Sequence, residues 1–158
     1  TLPVRQSEIL FGKFIASLIV VIIALTCSLF IPLMTYFFLG DFDKGQLLTQ
    51  YFGAILMACT YISISFFLSS LTMELINSFF LTASFLLLLT LAGYLSMVMK
   101  FYVWLEWLQK VLSYIGLQTH FANFSKGVID SRDLAYYVGT TAIFIYLNIR
   151  TLEIKRWS

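Results

Sequence analysis

Four stretches of this chain contain no Asp, Glu, Lys, Arg or His: Phe14 to Leu39, Gln46 to Met73, Leu75 to Met99 and Leu134 to Ile149. An α-helix rises about 1.5 Å per residue, so about 20 apolar residues cross a hydrocarbon core ~30 Å thick. The first three stretches exceed that length. The fourth has only about 16 residues, near the lower limit. Its flanks Asp133 and Arg150 can nevertheless sit at the two headgroup levels, with Tyr136 and Tyr137 as an interfacial belt. The pattern predicts an all-α fold, a polytopic membrane helical bundle with four transmembrane helices over 14–39, 46–73, 75–99 and 134–150 and external amphipathic helices over 100–133. An even number of spans puts both ends of the segment on one side.

The breaks between the runs are chemically distinct. Pro32 lies about two-thirds along the first run, where it removes a backbone donor and should kink the helix near its far end. Gly40-Asp41-Phe42-Asp43-Lys44-Gly45 then forms a tight polar turn, making the first two spans a hairpin. The second and third runs are separated by a single charge, Glu74, within Ser69-Ser70-Leu71-Thr72-Met73-Glu74. One helix through both would be about 80 Å long, so two crossings are required, with Thr72 a candidate helix cap and Glu74 a helix-end charge at the interface.

From Lys100 to Asp133 the pattern changes. Glu106, Gln109, Lys110 and Ser113 fall at i, i+3, i+4 and i+7, one polar stripe on a helix carrying Trp104 and Trp107 among its apolar positions. Such a helix lies in the interface with its stripe toward water, or packs as a re-entrant helix on the spans. A second short helix is expected from about Thr119 to Lys126, ended by a left-handed cap at Gly127. Asp130 or Ser131 would cap the last span, with Asp133 in its positive first turn. His120 has no second His, Cys or close carboxylate at ligand spacing and reads as a surface or interface histidine.

Composition agrees with a bilayer as solvent: 60% hydrophobic and 11% charged residues stand far from the ~25% charged of soluble domains. A net charge of +2, without a basic run interleaved with exposed aromatics, argues against a nucleic-acid partner. The lipid bilayer is the partner in view. Cys27 and Cys59 fall mid-span and read as small core residues. There is no G-x-x-x-x-G-K-[ST] loop, H-E-x-x-H motif or G-x-S-x-G elbow, so the chain carries no ATP site of its own and is not read as an enzyme. No catalytic, cofactor-binding or metal residues are assigned.

Helix packing has support of its own. Ala135, Gly139 and Ala142, with Thr140-Thr141, make a small face on the last span, and Gly53, Ala54 and Ala58 one on the second. Asn77 and Asn148 can hydrogen-bond between helices, at roughly 0.6 kcal/mol each. Charge settles orientation weakly. With a cytoplasmic N-terminus, Arg5, Lys13, Arg150, Lys155 and Arg156 lie inside in short segments, against Lys44, Lys100, Lys110, Lys126 and Arg132 outside.

Two segments carry a family resemblance. Leu2-Pro3-Val4-Arg5-Gln6-Ser7-Glu8-Ile9-Leu10-Phe11-Gly12-Lys13-Phe14 resembles the LPV…EI…GKF stretch of ABC-2 type ABC-transporter permeases, especially the gliding-motility-associated and copper-processing branch. Phe124-Ser125-Lys126-Gly127-Val128-Ile129-Asp130-Ser131-Arg132-Asp133-Leu134, followed by Tyr136-Tyr137, is similar to that branch's F-x-[KR]-G-V-I-D-x-R-D-x-x-Y-Y signature. With Ser69-Ser70-Leu71-Thr72 the resemblance runs over the whole chain, departing at Met73-Glu74, where relatives often carry a basic or polar turn.

The resemblance implies a single transmembrane domain, here spans three to six, with 1–13 the cytoplasmic end of a coupling segment and the first two spans absent. It implies export across a bacterial inner membrane, both ends of this segment cytoplasmic, driven by a separate ATP-binding-cassette ATPase subunit and a second permease copy or homologue, with no cofactor. Leu2, Pro3, Val4, Arg5 and Glu8 would lie at the ATPase, and Lys13 would anchor the first run at the inner headgroups. Phe121, Phe124, Lys126, Gly127, Asp130, Arg132 and Asp133 would form an external gate or a structural motif. Each has a structural alternative: Arg5 and Glu8 as an i, i+3 pair on a solvated face, Gly127 and Asp130 as helix caps. A non-transporting four-span scaffold or assembly subunit is the competing class, distinguished by the absence of a co-purifying ATPase.

Overall fold

The structure is a computed structural model that describes residues 6–40, 43–99 and 106–157. Among the described residues it consists of seven helices: α1 (Gln6–Ser28), α2 (Phe30–Leu39), α3 (Lys44–Leu71), α4 (Leu75–Met99), α5 (Glu106–Ile115), α6 (Leu117–Ser125) and α7 (Ser131–Trp157). Trp104 lies outside the described residues.

Pro32 breaks the first apolar run one turn before itself. A proline at 32 cannot donate to the carbonyl of Ser28, four residues back. The ladder tightens at that point, Leu29 N–H bonding Thr26 O at 3.2 Å, and resumes with Leu33 N–H to Leu29 O at 3.1 Å. Leu29 keeps helical angles (φ −60°, ψ −18°), so the chain continues as α2. Beside the break, the Ser28 and Tyr51 hydroxyls are 2.7 Å apart and tie α1 to α3. Beyond the break α2 keeps little contact with α3.

The turns are capped as their residues dictate. Gly40 closes α2 at φ 94°, a left-handed angle that suits glycine. Asp43 opens α3, its Oδ1 accepting the Gly45 and Gln46 N–H groups at 2.9 and 3.4 Å. Between α3 and α4 the expected cap is corrected: Thr72 is the C-terminal flank of α3. It is Glu74 whose carbonyl accepts the Ser78 N–H at 3.0 Å and starts α4. Asn77, expected between helices, instead donates to Glu74 Oε2 at 2.7 Å within its own turn.

α3 is the centre, touching α1, α4, α6 and α7. α7 runs parallel to it: Thr60 Oγ1 lies 3.1 Å from Thr141 Oγ1, the Phe67 and Phe144 rings are 5.6 Å apart, and Lys155 Nζ donates to Ser70 O at 2.5 Å. One end of the bundle therefore gathers the start of α1, the α3–α4 turn and the end of α7. The other gathers α2, the start of α3, α5, α6 and the start of α7.

Among the described residues, polar side chains make up half of the buried ones. Thr60, Ser63, Ser78, Ser96 and Asn148 are buried, whereas Phe37, Phe38, Leu75 and Ile76 are among many exposed large apolar side chains. Small hydroxyl residues let backbones approach, and lipid takes the large side chains. The accessible area, 11137 Å², exceeds the roughly 8,100 Å² expected of a compact soluble monomer of this mass. Helix faces are left open rather than wrapped on a core. Cys27 is one of the exposed positions, which corrects its reading as a core residue.

Among the described residues, three helices are long and apolar enough to cross a membrane: Glu8–Phe38 through the Leu29 break, Lys44–Leu71 and Leu75–Met99. α7 does not meet that measure, although its 27 residues extend about 40 Å. Its small face is not the packing face expected: Ala135 and Ala142 are exposed, and a Cβ on Gly139 would meet nothing within 4 Å. Of the residues expected there only Thr141 packs on α3, and what holds α7 is the side that carries it with Tyr137 and Phe144. Asn148 also faces inward, 2% exposed, but its Oδ1 has no hydrogen-bond partner. An isosteric apolar side chain removes that desolvation cost. Asn148→Leu is therefore expected to leave the detergent melting temperature unchanged or raise it, and a clear drop would show that the amide is satisfied in the folded protein.

Candidate functional site

The best-defined polar constellation lies where α5, α6 and α7 meet. Each short helix leaves carbonyls unpaired at its C-terminus, and neighbouring side chains take them up. At the end of α5, Tyr136 OH donates to Ile115 O at 2.9 Å and His120 Nε2 stands 3.3 Å from Tyr114 O. Just beyond, Tyr137 OH donates to Leu117 O at 2.7 Å. At the end of α6, α3 supplies the donors. Gln46 Nε2 reaches Ser125 O at 2.6 Å, Gln50 Nε2 the same oxygen at 3.1 Å, and Thr49 Oγ1 reaches Phe124 O at 3.1 Å.

The turn from α6 to α7 brings a histidine onto an aspartate. Gly127, at φ 80°, closes a Schellman motif: its N–H bonds Phe124 O at 3.1 Å, and the Val128 N–H bonds Asn123 O at 3.1 Å. Asp130 then caps α7, with Oδ1 accepting the Arg132 N–H at 2.9 Å and its carbonyl the Leu134 N–H at 3.1 Å. One turn on, Asp133 points back at α6. His120 Nδ1 lies 2.6 Å from Oδ1, and Asn123 Nδ2 donates to Oδ2 at 2.6 Å. A carboxylate only accepts, so Nδ1 carries the shared proton. The imidazole stacks on Tyr136, ring centroids 4.0 Å apart and 18° from parallel. Both ring nitrogens face acceptors and one ring face is covered. The histidine is a clasp between α6 and α7.

Read from sequence as a surface or interface histidine with no close carboxylate, His120 is corrected in that last respect: Asp133 lies against it, the two side chains 16% and 7% exposed. Tyr137 is fully buried and Tyr136 is half-buried against His120, so the pair is not an interfacial belt. One sequence signal was available. His120 and Asn123 stand at i, i+3, one face of a helix. Asp133, thirteen positions beyond His120, reaches that face only through the turn.

Of the predicted gate residues, Asp130, Arg132 and Asp133 come together, lining a cavity of about 480 Å³ with Tyr114, His120, Ala135 and Tyr136. The others do different work. Phe124 is fully buried, Phe121 half-buried, Lys126 an exposed helix end, and Gly127 the turn itself. The Phe124 ring centroid lies 6.2 Å from that of Tyr137 and 6.3 Å from that of Phe52. It presses on Gly53, where a Cβ would stand 2.7 Å from its Cβ and Cγ. The small residue expected to join spans therefore seats the cap instead.

α4 meets the cap through a second glycine contact. A Cβ on Gly116 would stand 2.6 Å from Gly93 Cα, and one on Gly93 would stand 2.7 Å from Gln118 Cβ. Gly93 lies six residues before the end of α4, about 9 Å down the helix. α5 thus folds back along α4. Its polar stripe is only partly out: Glu106 and Lys110 are exposed, Gln109 and Ser113 half-buried, while Trp107 is 77% and Tyr114 72% exposed.

At the opposite end, Glu8 is exposed in the first turn of α1, and Leu2, Pro3, Val4 and Arg5 lie outside the described residues. Ile9, Leu10 and Lys13 line a cavity of about 220 Å³ with Leu152 of α7. Arg150 and Glu153 form an exposed i, i+3 pair at 3.6 Å, a geometry that adds little stability. No cluster of three or more potential metal-ligating His, Cys, Asp or Glu side chains occurs among the described residues.

Long apolar helices with a polar interior, open apolar faces and a stapled cap at one end define a multi-pass helical membrane protein. The family model described as ABC-2 family transporter protein matches residues 1–152, and the chain belongs to that family of ABC-transporter permease components. No curated protein and no solved structure matches it.

Proposed function

We propose that the chain is the membrane permease of an ATP-binding-cassette exporter in a bacterial inner membrane, working as two permease copies with two ATPase subunits. The family match over residues 1–152 carries this reading. In it α7 is the fourth crossing, supported by its length of about 40 Å and its parallel run beside α3 from Thr60 to Ser70. The gliding-motility-associated and copper-processing branch is the subgroup the sequence resembles.

The end bearing Glu8, Lys13, Glu74 and Lys155 faces the cytoplasm. The ATPase docks there through Leu2, Pro3, Val4, Arg5 and Glu8. The α5–α6 cap faces outside, where Asp130, Arg132 and Asp133 border the exit and Phe124 and Gly127 fix its shape.

Purification from detergent-solubilised native membranes, with an ATPase assay, tests the coupling. A nucleotide-hydrolysing subunit is expected to co-purify. Arg5→Glu is expected to lower its retention by roughly tenfold, as charge reversal in an interface does. A permease that purifies alone, without nucleotide-dependent activity, would move the assignment to a non-transporting scaffold.

A further inference from the structure

α2 stands away from α3 below Pro32, and the gap is a groove of about 330 Å³ lined by Leu29, Pro32, Leu33, Tyr36, Lys44 and Leu47. Four of the six side chains are aliphatic. The fifth and sixth, Tyr36 and Lys44, sit together at the end nearer the α5–α6 cap, with Lys44 Nζ 5.5 Å from the Tyr36 ring centroid. A cation and a tyrosine at the first turn of a crossing helix mark the headgroup level.

We propose that this groove holds one anionic phospholipid of the leaflet on the side of the cap, an acyl chain along Leu29, Pro32, Leu33 and Leu47 and the phosphate on Lys44. Length selects a single leaflet: Tyr36 and Leu29 are seven residues apart, about 10 Å along a helix, inside a half-core of about 15 Å. Charge selects an anionic headgroup. The one carboxylate described beside Lys44, that of Asp43, is turned onto the Gly45 and Gln46 N–H groups. The groove on the other side of α2, lined by Ser28, Ile31, Pro32, Thr35, Leu47, Gln50 and Tyr51, carries no cation and is not assigned.

Native mass spectrometry of the detergent-purified protein, given equal phosphatidylglycerol and phosphatidylcholine, tests the site independently of any ATPase partner. The wild type is expected to retain phosphatidylglycerol about fivefold over phosphatidylcholine, the equivalent of one lysine near an anionic surface. Lys44→Ala, an exposed change, is expected to equalise the two lipids. Leu33→Trp, which fills the groove, is expected to reduce both adducts while circular dichroism keeps its helical signal. An undiminished preference for phosphatidylglycerol in Lys44→Ala, or undiminished adducts in a folded Leu33→Trp, overturns the assignment.

Discussion

Gly116→Ala is expected to lower the stability of the bundle by about 3 kcal/mol, the upper part of the range for overpacked sites. The new methyl would lie 2.6 Å from Gly93 Cα and 2.8 Å from Gly93 N, and 3.0 Å from Leu112 O. All three are backbone atoms, so no rotamer change relieves the clash. The backbone angles at Gly116, φ −68° and ψ 117°, suit any residue. The cost is therefore close contact, chiefly with Gly93 of α4 and secondarily with Leu112 O of α5. For a chain of this size a loss of ~3 kcal/mol corresponds to about 6–12 °C in melting temperature, readable by circular dichroism in detergent. Gly12→Ala and Gly139→Ala are the controls, since a Cβ at either meets nothing within 4 Å. Alanine is the better helix former, so neither should melt earlier than wild type. If all three variants melt together, the close approach of α4 to the α5–α6 elbow is wrong.

Asp133→Ala is expected to cost about 3 kcal/mol, the lower end for removing one partner of a buried pair, because His120 retains some solvent contact. Its carboxylate oxygens serve His120 and Asn123 at once, each at 2.6 Å. Truncation strands two donors and also removes a negative charge from the first turn of α7, worth a further few tenths of a kcal/mol. The damage should be local. Amide hydrogen exchange should speed up across Leu117–Ser125 and the start of α7 while α4 stays protected. Asp133→Asn keeps the shape and should fall between the two. A double-mutant cycle of Asp133→Ala with His120→Ala should give a coupling of about 1–3 kcal/mol. Strict additivity would mean that the His120–Asp133 contact carries no energy.

These two contacts also mark the limit of what could be read from the linear chain. The apolar runs announced α1 with α2, α3 and α4, because crossing a bilayer depends on length and polarity along one dimension. Gly127 and Asp130 announced a helix stop and start for the same local reason: a left-handed cap and an N-cap involve only residues a few positions away. Pro32 announced a kink, and the break falls at Leu29 because proline acts on the carbonyl four residues before it.

Other features had no local signature. Ala135, Gly139 and Ala142 form a regular small face, yet the neighbour lies on the opposite side of α7, and periodicity cannot say which face meets a partner. Gly53 was recognisably small, but its occupant, the Phe124 ring, stands 71 residues further along the chain. His120 looked solitary because its carboxylate belongs to another helix and meets it only after the chain has turned.

Legible in the linear chain were an all-helical membrane protein, its three long apolar helices and the Gly127 and Asp130 caps between α6 and α7, since each follows from residues adjacent along the chain. It took the packed helices to show that α5 folds back on α4, that glycines 53, 93 and 116 are contact points, and that His120, Asn123 and Asp133 close one clasp. The physical reason is that those contacts are set by the distance between helices, which helix packing fixes and sequence spacing does not.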